Sequence, residues 1–172
     1  MGIQFETDYN METLTAMAKG LRKTVRKKRS RRVHIFAAVV LILGLLTILA
    51  TTAGGEPPGA SGVVTLLAML VVILVSLFED RLNAWFARKR LLPGTEHAVA
   101  TFEEDGYVSA TGVTESRFSY AQIVAVAETA RYFVFALSSH HTQAYDKRTI
   151  RGGSVEAVSY THLRAHETSQ DL

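Results

Sequence analysis

Four of the six histidines in this chain fall into two pairs whose spacing invites a metal ion. His162 and His166 lie four residues apart, which on a helix sets both imidazoles on one face, as zinc binding needs. No third ligand is evident beside them. His140 and His141 are adjacent, so on an extended chain they point to opposite faces; they read as exposed turn residues. Glu103, Glu104 and Asp105 could exchange protons with a substrate, but Gly106 follows them, and the run reads as a solvated hairpin tip. The chain has no cysteine, which excludes disulfides, thiolate nucleophiles and cysteine-ligated zinc. It has no Gly-Lys-Ser/Thr phosphate loop, no G-x-S-x-G elbow and no Rossmann glycine pattern. The expectation is a protein that is not an enzyme, with no catalytic, cofactor-binding or metal-binding residue.

The residues with an evident physical role are basic. The chain has 172 residues and a net charge of +3, yet nine of its 19 lysines and arginines lie between Lys19 and Arg32. Arg81, Arg88, Lys89 and Arg90 form a second group. Charge gathered in this way reports local surfaces rather than a nucleic-acid binder, and no aromatic or reading motif accompanies it.

Each basic group borders an apolar run. Val33–Ala53 and Ala60–Phe78 contain no acidic residue, lysine or arginine. At 1.5 Å per residue these runs give helices of about 31 and 28 Å, long enough to cross the hydrocarbon core. Neither run has a polar stripe, which argues against a buried hairpin of a soluble protein. The first begins too late and is too long for a cleaved signal sequence, so a retained anchor is expected. Gly54-Gly55-Glu56-Pro57-Pro58-Gly59 ends one helix and turns the chain. That turn carries no cation while both outer flanks do. The positive-inside rule then predicts a multi-pass membrane protein with both termini cytoplasmic. His34, the one ionisable residue in either run, lies at its extreme end, and no acidic or basic residue marks a path through the spans, which disfavours transport.

Ahead of the first run, Ile3 and Phe5 alternate with polar residues as in a short strand, and Asn10 suits a helix cap. Leu14, Met17, Leu21 and Val25 form one apolar stripe, so a basic amphipathic helix is expected to run on into the first span. After Pro93-Gly94 the texture changes to short alternating segments: Val99–Glu103, Tyr107–Thr111, Ser116–Tyr120, Gln122–Glu128, Arg131–Leu137 and Thr142–Tyr145.

The order Phe102-Glu103-Glu104-Asp105-Gly106, Phe118-Ser119-Tyr120-Ala121-Gln122-Ile123, Glu128-Thr129, Tyr132-Phe133 and Lys147-Arg148 resembles the YcxB-like family over residues 1 to about 156. That family commonly has Trp where this chain has Tyr120. The resemblance implies a small bacterial two-span membrane protein with an amino-terminal strand and helix. It also implies a cytoplasmic carboxy-terminal domain similar to a pleckstrin-homology barrel, and it brings no assigned activity.

The expected fold is therefore membrane α+β: a two-helix transmembrane hairpin plus a small antiparallel, barrel-like (PH-like) cytoplasmic domain. Its parts are an amino-terminal strand and basic helix (1–32), the hairpin (33–78), a juxtamembrane linker (79–94) and the β domain (95–157). Residues 158–172 lack apolar periodicity and resemble translated sequencing adapter; they read as non-native, with the domain's final helix truncated. The expected function is a non-catalytic, membrane-anchored interaction module without a cofactor. The alternative is a structural or regulatory subunit of a larger membrane complex, an accessory of a transporter or enzyme. Expected partners are the lipid bilayer and anionic headgroups or a membrane protein, with no nucleic acid. Candidate headgroup contacts are Arg26, Lys27, Lys28, Arg29, Arg31, Arg32, Arg88, Lys89, Arg90, Lys147 and Arg148.

Overall fold

The computed structural model describes residues 2–55 and 59–154. The readings placed on Glu56 to Pro58, on the domain's truncated final helix, on His162 and His166, and on the tail 158–172 lie outside the described residues.

Alternation of apolar and polar residues makes β1 (Ile3–Asp8), with Phe5 and Thr7 buried. This first strand does not stand alone. It pairs antiparallel with β2 (His97–Phe102), Ile3 opposite Phe102 and Asp8 opposite His97. β3 (Gly106–Thr111) and β4 (Glu115–Ser119) extend the sheet in the order β1-β2-β3-β4. A second antiparallel sheet has the order β5 (Ala125–Glu128), β6 (Tyr132–Ala136), β7 (Thr142–Asp146). The strand expected to start at Gln122 starts at Ala125. Before it, Tyr120–Gln122 form a 3-10 turn, closed by a capping box between Ser119 and Gln122.

The sheets pack across an aromatic core of Phe5, Phe102, Tyr107, Phe133, Phe135 and Tyr145. Phe5 and Phe133 meet edge-on at 6.3 Å, and so do Phe102 and Tyr145 at 5.1 Å, the arrangement ring quadrupoles favour. Side chains and one isolated bridge, rather than a ladder, link the sheets at β1 and β7. Asp146 N–H donates to Thr7 Oγ1 at 3.1 Å, Thr149 Oγ1 bonds both backbone groups of Glu6, and Gln4 bridges Arg151.

β6 is buried throughout. Phe133 and Phe135 face the aromatic core, while Tyr132 and Val134 face helix α1 (Met11–Lys23) through Ala16 and Met17. Asn10 caps α1, its Oδ1 accepting from the Glu12 and Thr13 amides at 2.9 and 3.0 Å. Gly20 lets α1 lie close on β6: a Cβ there would sit 2.8 Å from Val134 Cγ1.

α1 does not continue into the first apolar run as expected. The chain breaks at Thr24–Arg26, where Arg26 N–H reaches back to Leu21 O at 2.8 Å, and α2 (Lys27–Ala53) begins afresh. The apolar stripe passes through the break because Val25 keeps its spacing, so periodicity alone could not reveal it. α3 (Ala60–Leu77) returns beside α2, with Gly44 close against Met69. Both helices are long and apolar enough to cross a membrane, and none of the residues in their most apolar stretches is buried. Their threonines bond their own helix: Thr47 to Leu43 O, Thr65 to Ser61 O. The stretch read as a linker is mostly helix α4 (Glu79–Lys89), joined to α3 through Phe78 with helical hydrogen bonds on either side. Its few apolar residues gave no strong periodic signal. The result is an α+β protein in which helices 2 and 3 project away from a domain built from both ends of the chain.

Candidate functional site

The expected basic residues divide into three groups. Lys27, Lys28, Arg29, Arg31 and Arg32 occupy the first two turns of α2 and are exposed. None pairs with a carboxylate among the described residues. Five cations at a helix amino terminus oppose the helix dipole, and α2 has no side-chain cap and no acidic first-turn residue to offset them. Helix stability therefore does not account for them.

Two acidic residues that could neutralise this group lie at the start of α4, and the fold engages them elsewhere. Arg22 grips Asp80 with two hydrogen bonds, of 2.8 and 2.7 Å. Glu79 lies 3.8 Å from His34 and 3.4 Å from Ser30 Oγ. This network pins α1 and α2 to α4 where the apolar helices begin and end.

The second group lines a cavity of about 480 Å³ beside that network. One wall is a face of α1: Leu14, Met17, Ala18 and Leu21. A second is a face of α4: Asn83, Phe86, Ala87 and Arg90. Both have the i, i+3, i+4, i+7 spacing of a single helical stripe. Arg26 and the β6–β7 turn at His140, His141 and Thr142 complete it. Arg26 Nε donates to Ser139 O at 2.7 Å, which fixes the guanidinium in the wall. His140 Nδ1 and Ser139 Oγ lie 2.7 Å apart, and the His141 ring meets Phe118 edge-on. A smaller cavity of about 280 Å³ adjoins it, sharing Leu14, Met17, His141 and Thr142. Of the expected residues, Arg26 and Arg90 belong to this cavity. Arg88 and Lys89 are exposed on α4, with Lys89 Nζ 3.7 Å above the Trp85 ring.

The third group stands apart. Lys147 and Arg148 do not share a surface with the others. They follow β7, whose opposite end carries the turn that meets Arg26; five residues of strand separate Thr142 from Lys147 by about 17 Å. The Lys147 ammonium is bound to Glu128 and to Thr129 O and lies 4.5 Å over Phe133, leaving its side chain 12% exposed. Arg148 pairs with Asp146. Lys147 is thus tied into the far end of the domain, while the Arg148 side chain stays 64% exposed there.

Reading residue types in order found the cations but not the cavity. His140, His141, Met17 and Phe86 join Arg26 only through contacts between distant segments. The Asn83-Phe86-Ala87-Arg90 spacing was the available clue. No cluster of three or more His, Asp or Glu residues able to hold a metal occurs among the described residues. The Glu103-Glu104-Asp105 turn is exposed, with Arg117 paired to Glu103.

Residues 102–158 match the family described as YcxB-like protein. The resemblance read over residues 1 to about 156 is thus matched across the strands from the end of β2 onward. No curated protein and no solved structure matches the chain.

Proposed function

We propose that this chain, YcxB-like over residues 102–158, is a non-catalytic membrane-anchored module that holds an interaction domain against the cytoplasmic face of the inner membrane. α2 and α3 cross the bilayer as a hairpin. The observation that carries this reading is the pairing of β1 with β2. Strands on either side of two membrane-length helices share one sheet, so the chain must cross an even number of times and return to the side where it started. The five unneutralised cations at the start of α2 favour the cytoplasmic side for both ends. Uncovered leucine, valine and isoleucine side chains along both helices support lipid as their surroundings. The small α+β domain is PH-like in this reading and offers surfaces rather than reacting groups.

The test is topological. A membrane-impermeant thiol reagent is applied to intact cells producing full-length variants with one cysteine, at Glu56 between the two apolar runs or at Glu104 in the domain. Labelling at Glu56 but not at Glu104 is expected. Labelling at Glu104, or recovery of the chain in the aqueous fraction without detergent, overturns the reading. The alternative, a subunit of a larger membrane complex, predicts a stoichiometric partner after mild-detergent capture.

A further inference from the structure

We infer that the cavity between α1, α4 and the β6–β7 turn binds the headgroup phosphate of an anionic phospholipid. Arg26 and Arg90 take the phosphate; Met17 and Phe86 pack along the glycerol and first methylenes. This rests on the reading that α2 and α3 cross a bilayer.

Charge is the first argument. The walls carry two guanidiniums and two imidazoles and no carboxylate. Arg22 pairs with Asp80, Arg131 with Asp146 and Glu12, and Arg151 with Glu6, while Arg81 and Arg88 of α4 are exposed outside the cavity. Arg26 and Arg90 have no such partner among the described residues. Arg26 spends only Nε on Ser139 O, so its Nη groups remain for a bidentate contact with phosphate. Unpaired arginines in a concave site focus a positive field on whatever enters it.

Polarity is the second argument. The two helical walls are largely apolar, which suits an amphiphile and gives an inorganic ion nothing. A volume of about 480 Å³ lies within the range of small-molecule sites.

Height is the third. Asn83 lies five helical residues beyond Phe78, at most about 8 Å from the end of the apolar stretch, and Arg90 at most about 18 Å. On the other side, Arg26 precedes Val33 by seven residues, or about 10 Å. The headgroup layer is about 5–8 Å deep on each face, so Asn83 at the near rim lies at its outer edge; Arg26 and Arg90 lie farther out, and a phosphate bound between them is drawn out above its neighbours in the layer.

The test uses the full-length chain in nanodiscs of phosphatidylcholine with and without phosphatidylglycerol. The chain is then released into mild detergent, and retained lipid is measured by native mass spectrometry. Retention of phosphatidylglycerol over phosphatidylcholine is expected. Arg90→Gln, which touches no other described hydrogen bond, is expected to lower that retention at least tenfold, the scale of one charged hydrogen bond. Arg81→Gln, at an exposed α4 position outside the cavity, is expected to retain it near wild-type level, and unchanged melting temperatures show that both variants fold. Equal losses in the two variants would reduce the effect to diffuse attraction and overturn the cavity. Displacement by inorganic phosphate alone, or by an acidic peptide, would assign the cavity to a soluble ligand and overturn the lipid. Insertion without any retained phosphatidylglycerol sinks this inference alone; failure to enter nanodiscs removes the membrane reading and this inference with it.

Discussion

Asp146 lies at the end of β7 with its side chain 8% exposed, between Arg131 and Arg148. Burial by itself would raise its pKa. Hydrogen bonds from the Arg148 and Arg131 side chains and from the Arg148 amide outweigh that and hold the carboxyl below its ordinary value of 3.8. A carboxyl lowered in the folded state adds stability that is complete above the unfolded pKa and disappears as pH falls through the folded one. Asp146→Asn is therefore expected to remove about 2 kcal/mol at neutral pH, the scale of hydrogen bonds to charged groups. Thermal unfolding followed from pH 7 down to pH 3 should show the variant and the native chain converging. A gap that stays constant would assign the loss to packing. Nothing in the sequence singled out this residue, because its partners come from positions 131 and 148 across a hairpin and a turn.

Among the elements, the contact of α1 with β6 makes the sharpest prediction. Alanine is worth about 1 kcal/mol more than glycine inside a helix, so Gly20→Ala would ordinarily stabilise. Here the added methyl meets Val134 Cγ1 at 2.8 Å, and Val134 is itself buried to 1% exposure. Overpacking of that kind costs about 1–3 kcal/mol, so the single change should lower stability in a denaturant titration. In a Val134→Ala background the loss should shrink, because Cγ1 is gone while Val134 Cβ still stands 3.1 Å from the added methyl. A stabilising effect in both backgrounds would mean that α1 does not rest on β6.

The strands of the carboxy-terminal half were legible to within one to three residues because alternation is a local signal. β6 stood out since both its faces are covered, giving the unbroken run Tyr132-Phe133-Val134-Phe135. The break at Thr24–Arg26 and helix α4 were not legible. In the first the apolar spacing runs on, and in the second exposed charged residues leave too few apolar ones for a stripe. The cavity was illegible for a stronger reason: its walls come from four separated segments, and only the fold brings Arg26, Arg90 and His140 together.

For the molecule as a whole, pairing of β1 with β2 means that the domain is not contained in residues 95–157. Phe5 sits at 0% exposure in the middle of the aromatic core, and β1 covers the edge of β2 that faces away from β3. Residues 95–157 expressed alone should show no cooperative unfolding transition. Residues 2–23 joined to 95–157 by about 12 Gly/Ser residues, which span roughly 19 Å, should restore one in a soluble protein. A cooperative transition in the short fragment would contradict a shared core. The same comparison separates the domain's stability from anything the apolar helices provide.

That shared sheet also sets a timetable for biogenesis. Residues 3–8 leave the ribosome about 90 residues before the strand they must join, and at 5–20 residues per second the wait is roughly 5–20 s. During that interval the leading segment has a bare edge and an uncovered phenylalanine. If α2 and α3 cross a bilayer as proposed, the translocation machinery must also keep it on the compartment side where synthesis ends. A lapse at that step would strand the opening strand across the barrier from its mate, and no later rearrangement inside the finished polypeptide could reunite them.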